Sequence, residues 1–147
     1  MLPLQHGLRR GPHQMKRSLN SFQDPQAGTS RTTKALGDAA ESSAARHLQA
    51  HGLRLLERHY RTPGRGGGEI DLIMRAHDGT LVFVEVRLRR SQRFGGALAS
   101  VTATKRQRII WAARHYLRRY PIPPPCRFDV VGLEDGHVVW IQAAFDA

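Results

Sequence analysis

The sequence predicts an α/β domain, a mixed β-sheet flanked by helices in the order α-β-β-β-α-β-β. Three observations carry that expectation. Two stretches, Gly68–Met74 and Leu81–Arg87, alternate with a two-residue period, which on a strand sends successive side chains to opposite faces. Asp78-Gly79 in the link between them is a hairpin signal, because glycine tolerates positive φ, so these strands should pair antiparallel. A long helical pattern then separates this hairpin from the last two strands. A helix crossing over between strands argues for a mixed sheet with helices packed on it.

Taken in order, residues 1–31 have no sustained period and are rich in Gly, Pro, Gln and Ser, with scattered Arg9, Arg10, Lys16 and Arg17; they read as a disordered basic tail. The folded domain is expected over residues 32–147. From Thr33 to His51 the pattern is helical, and Gly37, Glu41, Ala44, Ala45 and Leu48 share one stripe. Small residues there allow close packing on the sheet, which carries Glu41 inward. His47 and His51 are four apart, a spacing that binds zinc when a third ligand comes from elsewhere, but no Glu follows His47 and no Cys pair supports it. Surface histidines are the better reading.

Gly52 suits the end of that helix. Leu53–Arg61 reads as a strand, with Leu53 and Leu55 on one face and Leu56 crossing to the other. Pro63–Gly68 is glycine-rich but opens a strand, so no helix N-terminus is available for a pyrophosphate and a dinucleotide fingerprint is rejected. A loop that closes over a substrate and a plain connection fit it equally. In the hairpin, Ile70, Leu72 and Met74 fall on one face with Glu69 and Asp71 opposite, and Val82, Val84 and Val86 share a face with Phe83, Glu85 and Arg87 opposite. Ser91–Ser100 reads as a loop. The helix from Val101 to Tyr120 buries Ile109, Ala112, Ala113, Tyr116, Leu117 and Tyr120 and stops at Pro121. If exposed, Phe94 in the preceding loop or Trp111 could stack on an unpaired base, although core packing is the safer expectation for Trp111. A stiff Pro121–Pro125 connector leads to strands at Cys126–Leu133 and His137–Gln142.

Composition narrows the function classes. At 147 residues the chain suits one core, and one cysteine, Cys126, excludes an intrachain disulfide and fits a reducing, cytoplasmic setting. No apolar run approaches the roughly 18 residues of a membrane span. The net charge of +11 is concentrated: from Arg87 to Arg119 there are ten basic residues and no Asp or Glu. Arg89, Arg90, Arg93, Arg106 and Arg108 lie in that block, and the phosphate backbone of a nucleic acid is the partner it implies. A homodimer would place two sites on two strands, but no distinct dimer stripe stands out.

Against that background the acids of the hairpin are anomalous. Glu85 and Arg87 sit in an otherwise apolar strand, where a carboxylate needs a partner or a cation to offset its desolvation. Asp71 comes from the neighbouring strand, and Arg87 lies about 7 Å beyond Glu85 on the same face. Such a group could hold Mg²⁺ against a phosphate, or it could be a structural Arg–carboxylate pair. Lys105 stands one turn before Ile109 and can lean toward the sheet.

Gly37 with Glu41 and Leu48, Gly68-Glu69-Ile70-Asp71-Leu72-Ile73, Phe83-Val84-Glu85-Val86-Arg87, Ser100-Val101-Thr102 with Lys105, and Arg127-Phe128-Asp129-Val130-Val131 together resemble the YraN family of bacterial proteins, over about residues 32–147. The resemblance implies a restriction-endonuclease-like fold with a PD-(D/E)xK site, by similarity to archaeal Holliday-junction resolvases. It implies a catalytic group of Glu41, Asp71, Glu85 and Arg87, with Mg²⁺ or Mn²⁺ held by Asp71 and Glu85. The usual motif ends in Lys, whose ammonium can shift its pKa, whereas Arg87 remains a charge and hydrogen-bond donor only. Lys105 is the candidate to supply the missing ammonium. The function implied is a metal-dependent endonuclease acting on branched or single-stranded DNA, and the alternative is a nucleic-acid-binding module of the same fold without efficient cleavage.

Overall fold

Alternating apolar residues in five segments build a sheet of order β1-β2-β3-β4-β5: β1 (Arg54–Arg61), β2 (Glu69–Arg75), β3 (Leu81–Arg89), β4 (Cys126–Glu134) and β5 (His137–Phe145). The structure is a computed structural model and describes residues 27–89 and 96–147. Three helices accompany the sheet: α1 (Ala27–Ala50), α2 (Gly96–Ala99) and α3 (Ala103–Leu117). β3 and β4 pair parallel from Leu81↔Cys126 to Arg89↔Glu134, and the other neighbours pair antiparallel, so the sheet is mixed as expected. The observed order, α-β-β-β-α-α-β-β, adds one short helix to the expected one.

Both faces of the sheet are covered. Phe83, Ile73 and Val130 pack with Ile109, Ala112 and Tyr116 of α3, while Leu72, Met74, Val82, Val84 and Val131 pack with Ala44, Ala45 and Leu48 of α1. The central strands are therefore apolar on both sides. Each fully buried Leu, Ile or Val contributes about 1.5–3 kcal/mol relative to exposure.

Several details depart from the expectation for physical reasons. Ile70 joins the α3-side cluster instead of sharing the face of Leu72 and Met74; the pleat is interrupted at this level, where His59 on β1 has φ 49° and the β2–β3 pairing stops at Leu72↔Val84. α3 ends at Leu117, before the expected Tyr120, because the N–H groups of Arg118, Arg119 and Tyr120 turn to carbonyls three residues back, tightening the last turn ahead of Pro121. Ile110 is buried alongside the expected stripe, and Trp111, expected in the core, is 60% exposed. α2 follows Gly96 (φ 73°) and is only four residues long, too short to show a period. α1 begins at Ala27 and β5 runs on to Phe145. The tail expected over residues 1–31 lies, up to residue 26, outside the described residues, as does Phe94.

Two glycines that look alike in sequence differ in place. A Cβ on Gly68 would sit 1.9 Å from the Arg108 carbonyl oxygen and 3.0 Å from the Ala112 Cβ, so α3 crosses the chain at the residue just before β2, where there is no side chain. Gly37 meets nothing within 4 Å, so its place on the α1 stripe does not depend on its size. The glycine-rich segment before β2 is closed by Thr62, whose N–H donates to the Gly68 carbonyl at 3.1 Å and whose Oγ1 accepts from the Gly68 N–H at 2.8 Å. Gly68→Ala should destabilise by about 3 kcal/mol, since the clash is with backbone, whereas Gly37→Ala should stabilise by about 0.5–1 kcal/mol. Urea unfolding of the two variants measures both, and equal effects would contradict the close crossing at Gly68.

Candidate functional site

Asp71 and Glu85 lie one residue beyond the last paired residues of β2 and β3, where Leu72↔Val84 closes the ladder. Asp71 Oδ2 accepts the Val86 N–H at 2.8 Å, so a carboxylate takes a main-chain donor that no strand partner uses. Asp71 thereby reaches toward β3 beside Glu85. Glu85 is 3% exposed. Its Oε1 has Arg87 Nη1 at 3.5 Å and Lys105 Nζ at 3.6 Å, and its Oε2 is buried without a hydrogen-bond partner.

The electrostatics follow from this crowding. Burial, and then the neighbouring Asp71 charge, push the Glu85 pKa up to about 8, against the pull of Lys105 and Arg87. Glu41 on α1 is also raised, first by burial and next by Asp71, with His59 opposing. Asp71 thus acts on both other acids, and the three sequence-predicted carboxylates converge on one region of the sheet.

The two cations beside Glu85 are held differently. Arg87 donates from Nε to Ser100 Oγ at 3.0 Å and from Nη2 to the Ser100 carbonyl at 3.3 Å, which ties it to the end of α2. Lys105 is placed by its backbone: its N–H donates to Thr102 Oγ1 at 3.2 Å, the N-cap of α3, leaving the ammonium directed at Glu85. The Ser100-Val101-Thr102 sequence therefore anchors one cation, buries Val101 and starts the helix that delivers the other.

Glu41 opens onto a second feature. Asp38, Glu41 and His59 each offer one ligand atom, all within 4.8 Å of one another, and this group could hold a metal ion. Glu41 Oε2 lies 2.9 Å from His59 Nε2, an ion pair when the imidazole is protonated, although the contact lacks hydrogen-bond geometry and that oxygen has no hydrogen-bond donor. A polar cleft of about 630 Å³ lies over these residues, with Arg58 and Arg61 in its wall. Sequence reasoning missed Asp38 and His59. Asp38 was accessible, being three residues before Glu41 and so on the same helix face; His59 depends on its left-handed backbone, which nothing in a histidine announces.

The basic residues expected at phosphate divide into groups. Arg108 is exposed. Arg106 is half-buried, donating to the Val101 carbonyl at 3.1 Å and lying 5.4 Å over the Phe145 ring, and Arg89 donates to the Gly96 carbonyl at 2.6 Å. Those two serve the fold, not a free surface. Arg90 and Arg93 lie outside the described residues. His47 and His51 stack 4.4 Å apart against Trp140 and belong to no metal-binding group among the described residues. Asp129, in the Arg127-Phe128-Asp129 stretch, is a structural acid: it accepts from Arg127 Nε, Trp140 Nε1 and the Ala143 N–H, each at 3.0 Å, at the irregularity between β4 and β5. No helix among the described residues is long and apolar enough to cross a membrane.

Glu85 also makes stability depend on pH. Its folded pKa of about 8 lies above the ordinary 4.5, so between those values the folded chain holds a proton the unfolded chain has lost. The resulting stability is complete below about pH 4.5 and disappears as pH rises through about 8. With chelator present, the wild type should lose on the order of 1 kcal/mol per pH unit over this window relative to Glu85→Gln. Urea midpoints of both proteins at pH 5 and pH 8 test it; parallel profiles would show that Glu85 is not buried as a neutral acid.

Comparison with known proteins supplies the kinship. Residues 40–133 match the uncharacterised protein family UPF0102. A UPF0102 protein of Albidiferax ferrireducens is 70% identical over 116 residues, covering 79% of this chain and 91% of its own length. One from Paracidovorax citrulli is 68% identical over 116 residues, covering 79% and 86%. A third, from Methylibium petroleiphilum, is 57% identical over 119 residues, covering 79% and 98%. The matched residues include Glu41, Asp71, Glu85 and Lys105, and the chain belongs to the UPF0102 family.

Proposed function

We propose that this protein is a metal-dependent nuclease acting on DNA, with a restriction-endonuclease-like fold and Asp71 and Glu85 as the ligands of Mg²⁺ or Mn²⁺. The observation that carries the reading is the meeting of Asp71 and Glu85 in a buried layer, where Glu85 Oε2 has no donor when both acids are ionised and the two carboxyls share a hydrogen bond only when Glu85 is protonated. An acid left in that state is costly, and a hard cation shared with Asp71 would satisfy it. Carboxylate oxygens are the donors that Mg²⁺ and Mn²⁺ prefer. Bound there, the ion would supply Lewis-acid polarisation of a phosphoryl oxygen and a nucleophilic water.

The remaining roles belong to side chains of this chain. Lys105, whose ammonium lies 3.6 Å from Glu85, supplies positive charge where a phosphate would gain negative charge during cleavage. Arg87 is a positioning residue, fixed to Ser100 and holding Glu85 in place. Glu41, with its raised pKa and its contact to His59, is placed to orient a water between α1 and the sheet. The exposed arginines of α3 supply attraction to the phosphate backbone.

A second reading, a nucleic-acid-binding module without efficient cleavage, is favoured by one observation. Arg stands at position 87, where the resembled motif has Lys, and it is committed to Ser100. Incubating plasmid, single-stranded and four-way-junction DNA with Mg²⁺ or Mn²⁺ separates the two. Wild type should cleave at least one substrate, and Asp71→Ala and Glu85→Ala should abolish cleavage while DNA binding persists; binding with no cleavage by wild type would establish the module instead.

The division of labour between the cations has its own test. Lys105→Met should lower cleavage about 100-fold with little change in stability, whereas Arg87→Met should lower the urea midpoint as well. An Arg87 variant that keeps its stability while losing all activity would return the catalytic charge to Arg87.

A further inference from the structure

The site uses the sheet-facing side of α3, yet the opposite side carries an unusual surface. Trp111 is 60% exposed, although Ile109, Ile110, Ala112 and Ala113 around it are buried. Indoles are among the most buried side chains on average, and leaving one in water forfeits the gain from covering it. Trp111, Arg114, His115 and Arg118 line a shallow cavity of about 250 Å³. That falls below the roughly 300 Å³ at which pockets begin to enclose small-molecule ligands, and it suits one flat ring laid on the indole.

Charge identifies the occupant. Arg114 and Arg118 are exposed, Arg108 is exposed one turn earlier, and no acid occurs in sequence from Arg87 to Arg119. Arg119 takes no part, being paired to Glu57 at 3.7 Å and laid over the Tyr116 ring at 3.6 Å. His115 is bonded to the Tyr60 hydroxyl, which fixes the cavity wall. An acidic peptide would account for the arginines but not for an indole held open among them. A planar, polyanionic ligand accounts for both.

We infer that Trp111 is a stacking platform for an unpaired base of a single-stranded nucleic acid, with Arg108, Arg114 and Arg118 on the flanking phosphates. The inference rests on the nucleic-acid reading above and narrows its substrate to strands with unpaired bases. It needs neither metal nor cleavage to be true, which keeps the two separable.

The test uses the full chain in chelator and fluorescence anisotropy with three labelled strands of equal length: oligo-dT, an abasic phosphate–deoxyribose strand and a duplex. Trp111→Ala should weaken oligo-dT binding roughly 5- to 150-fold and leave the abasic strand unchanged. Trp111→Phe should retain most of the affinity. Arg114→Ser should weaken oligo-dT and abasic strands alike and reduce the salt slope of log K by about 0.7. Unchanged oligo-dT binding by Trp111→Ala, an equal loss on the abasic strand, no binding of any strand, or Trp111-dependent binding of polyglutamate in place of oligo-dT would each overturn the inference. Trp111-dependent binding without metal-dependent cleavage would leave it standing and remove the nuclease; cleavage by wild type with binding indifferent to Trp111 would do the reverse.

Discussion

Much of this structure follows from placing two carboxylates at the level where β2 and β3 cease to pair. Charged groups in a buried layer are destabilising unless donors and counter-charges reach them. Here they arrive from two elements: from β3 the Val86 N–H on Asp71 and Arg87 on Glu85, and from α3 Lys105 on Glu85. Each carries a further requirement. Arg87 must be anchored by Ser100, Lys105 needs α3 to start at Thr102, and α3 can lie close to β2 only because Gly68 has no side chain. The pieces of sequence that resemble the YraN family are in this sense one apparatus around a single electrostatic problem.

The compensation is incomplete. Both cations approach the same oxygen, Oε1, while Oε2 stays without a hydrogen-bond partner and the acid is held toward its neutral form. A purely structural ion pair relieves its own desolvation through well-formed hydrogen bonds, as Asp129 does here with Arg127, Trp140 and the Ala143 N–H. Asp129 and Glu85 therefore behave differently, while Glu134, the third buried acid of the sheet, likewise has an oxygen without a partner. Asp129 is satisfied by the fold, and Glu85 either by a proton shared with Asp71 or by a cation.

Much of this was legible in the sequence because it depends on period and proximity along the chain. Alternation in Gly68–Met74 and Leu81–Arg87 located the hairpin, and the parity of Glu85 and Arg87 put them on the α3 side with Phe83. What escaped depends on three-dimensional coincidence. Strict alternation assigns Ile70 to the face of Leu72, but the interrupted pleat beside His59 moves it to the other cluster. His59 joins Glu41 through a left-handed φ at a non-glycine residue, and four residues of α2 are too few to show a helical period. Trp111 was assigned to the core on hydrophobicity; its i−2, i−1, i+1 and i+2 neighbours fill that side of the helix instead. Arg89 and Arg106, equal to Arg108 as positive charges in sequence, are drawn into the fold by carbonyls at 2.6 and 3.1 Å.

The charge layout also constrains how an anion could approach. Glu41, Asp71 and Glu85 gather on one side of α3 and Arg108, Arg114 and Arg118 on its other, exposed side. The arginines attract a phosphate backbone from a distance comparable to the Debye length, about 8–10 Å near physiological salt. At the acids themselves a phosphate meets repulsion, which in a poorly solvated site is far stronger than in bulk water. Lys105 and Arg87 offset two of the three carboxylate charges and a proton on Glu85 the third, which leaves the group neutral. A divalent cation in place of that proton would make it net positive, the sign that favours a phosphate. The basic face of α3 and the acids thus place opposite electrostatic demands on any anion that approaches both.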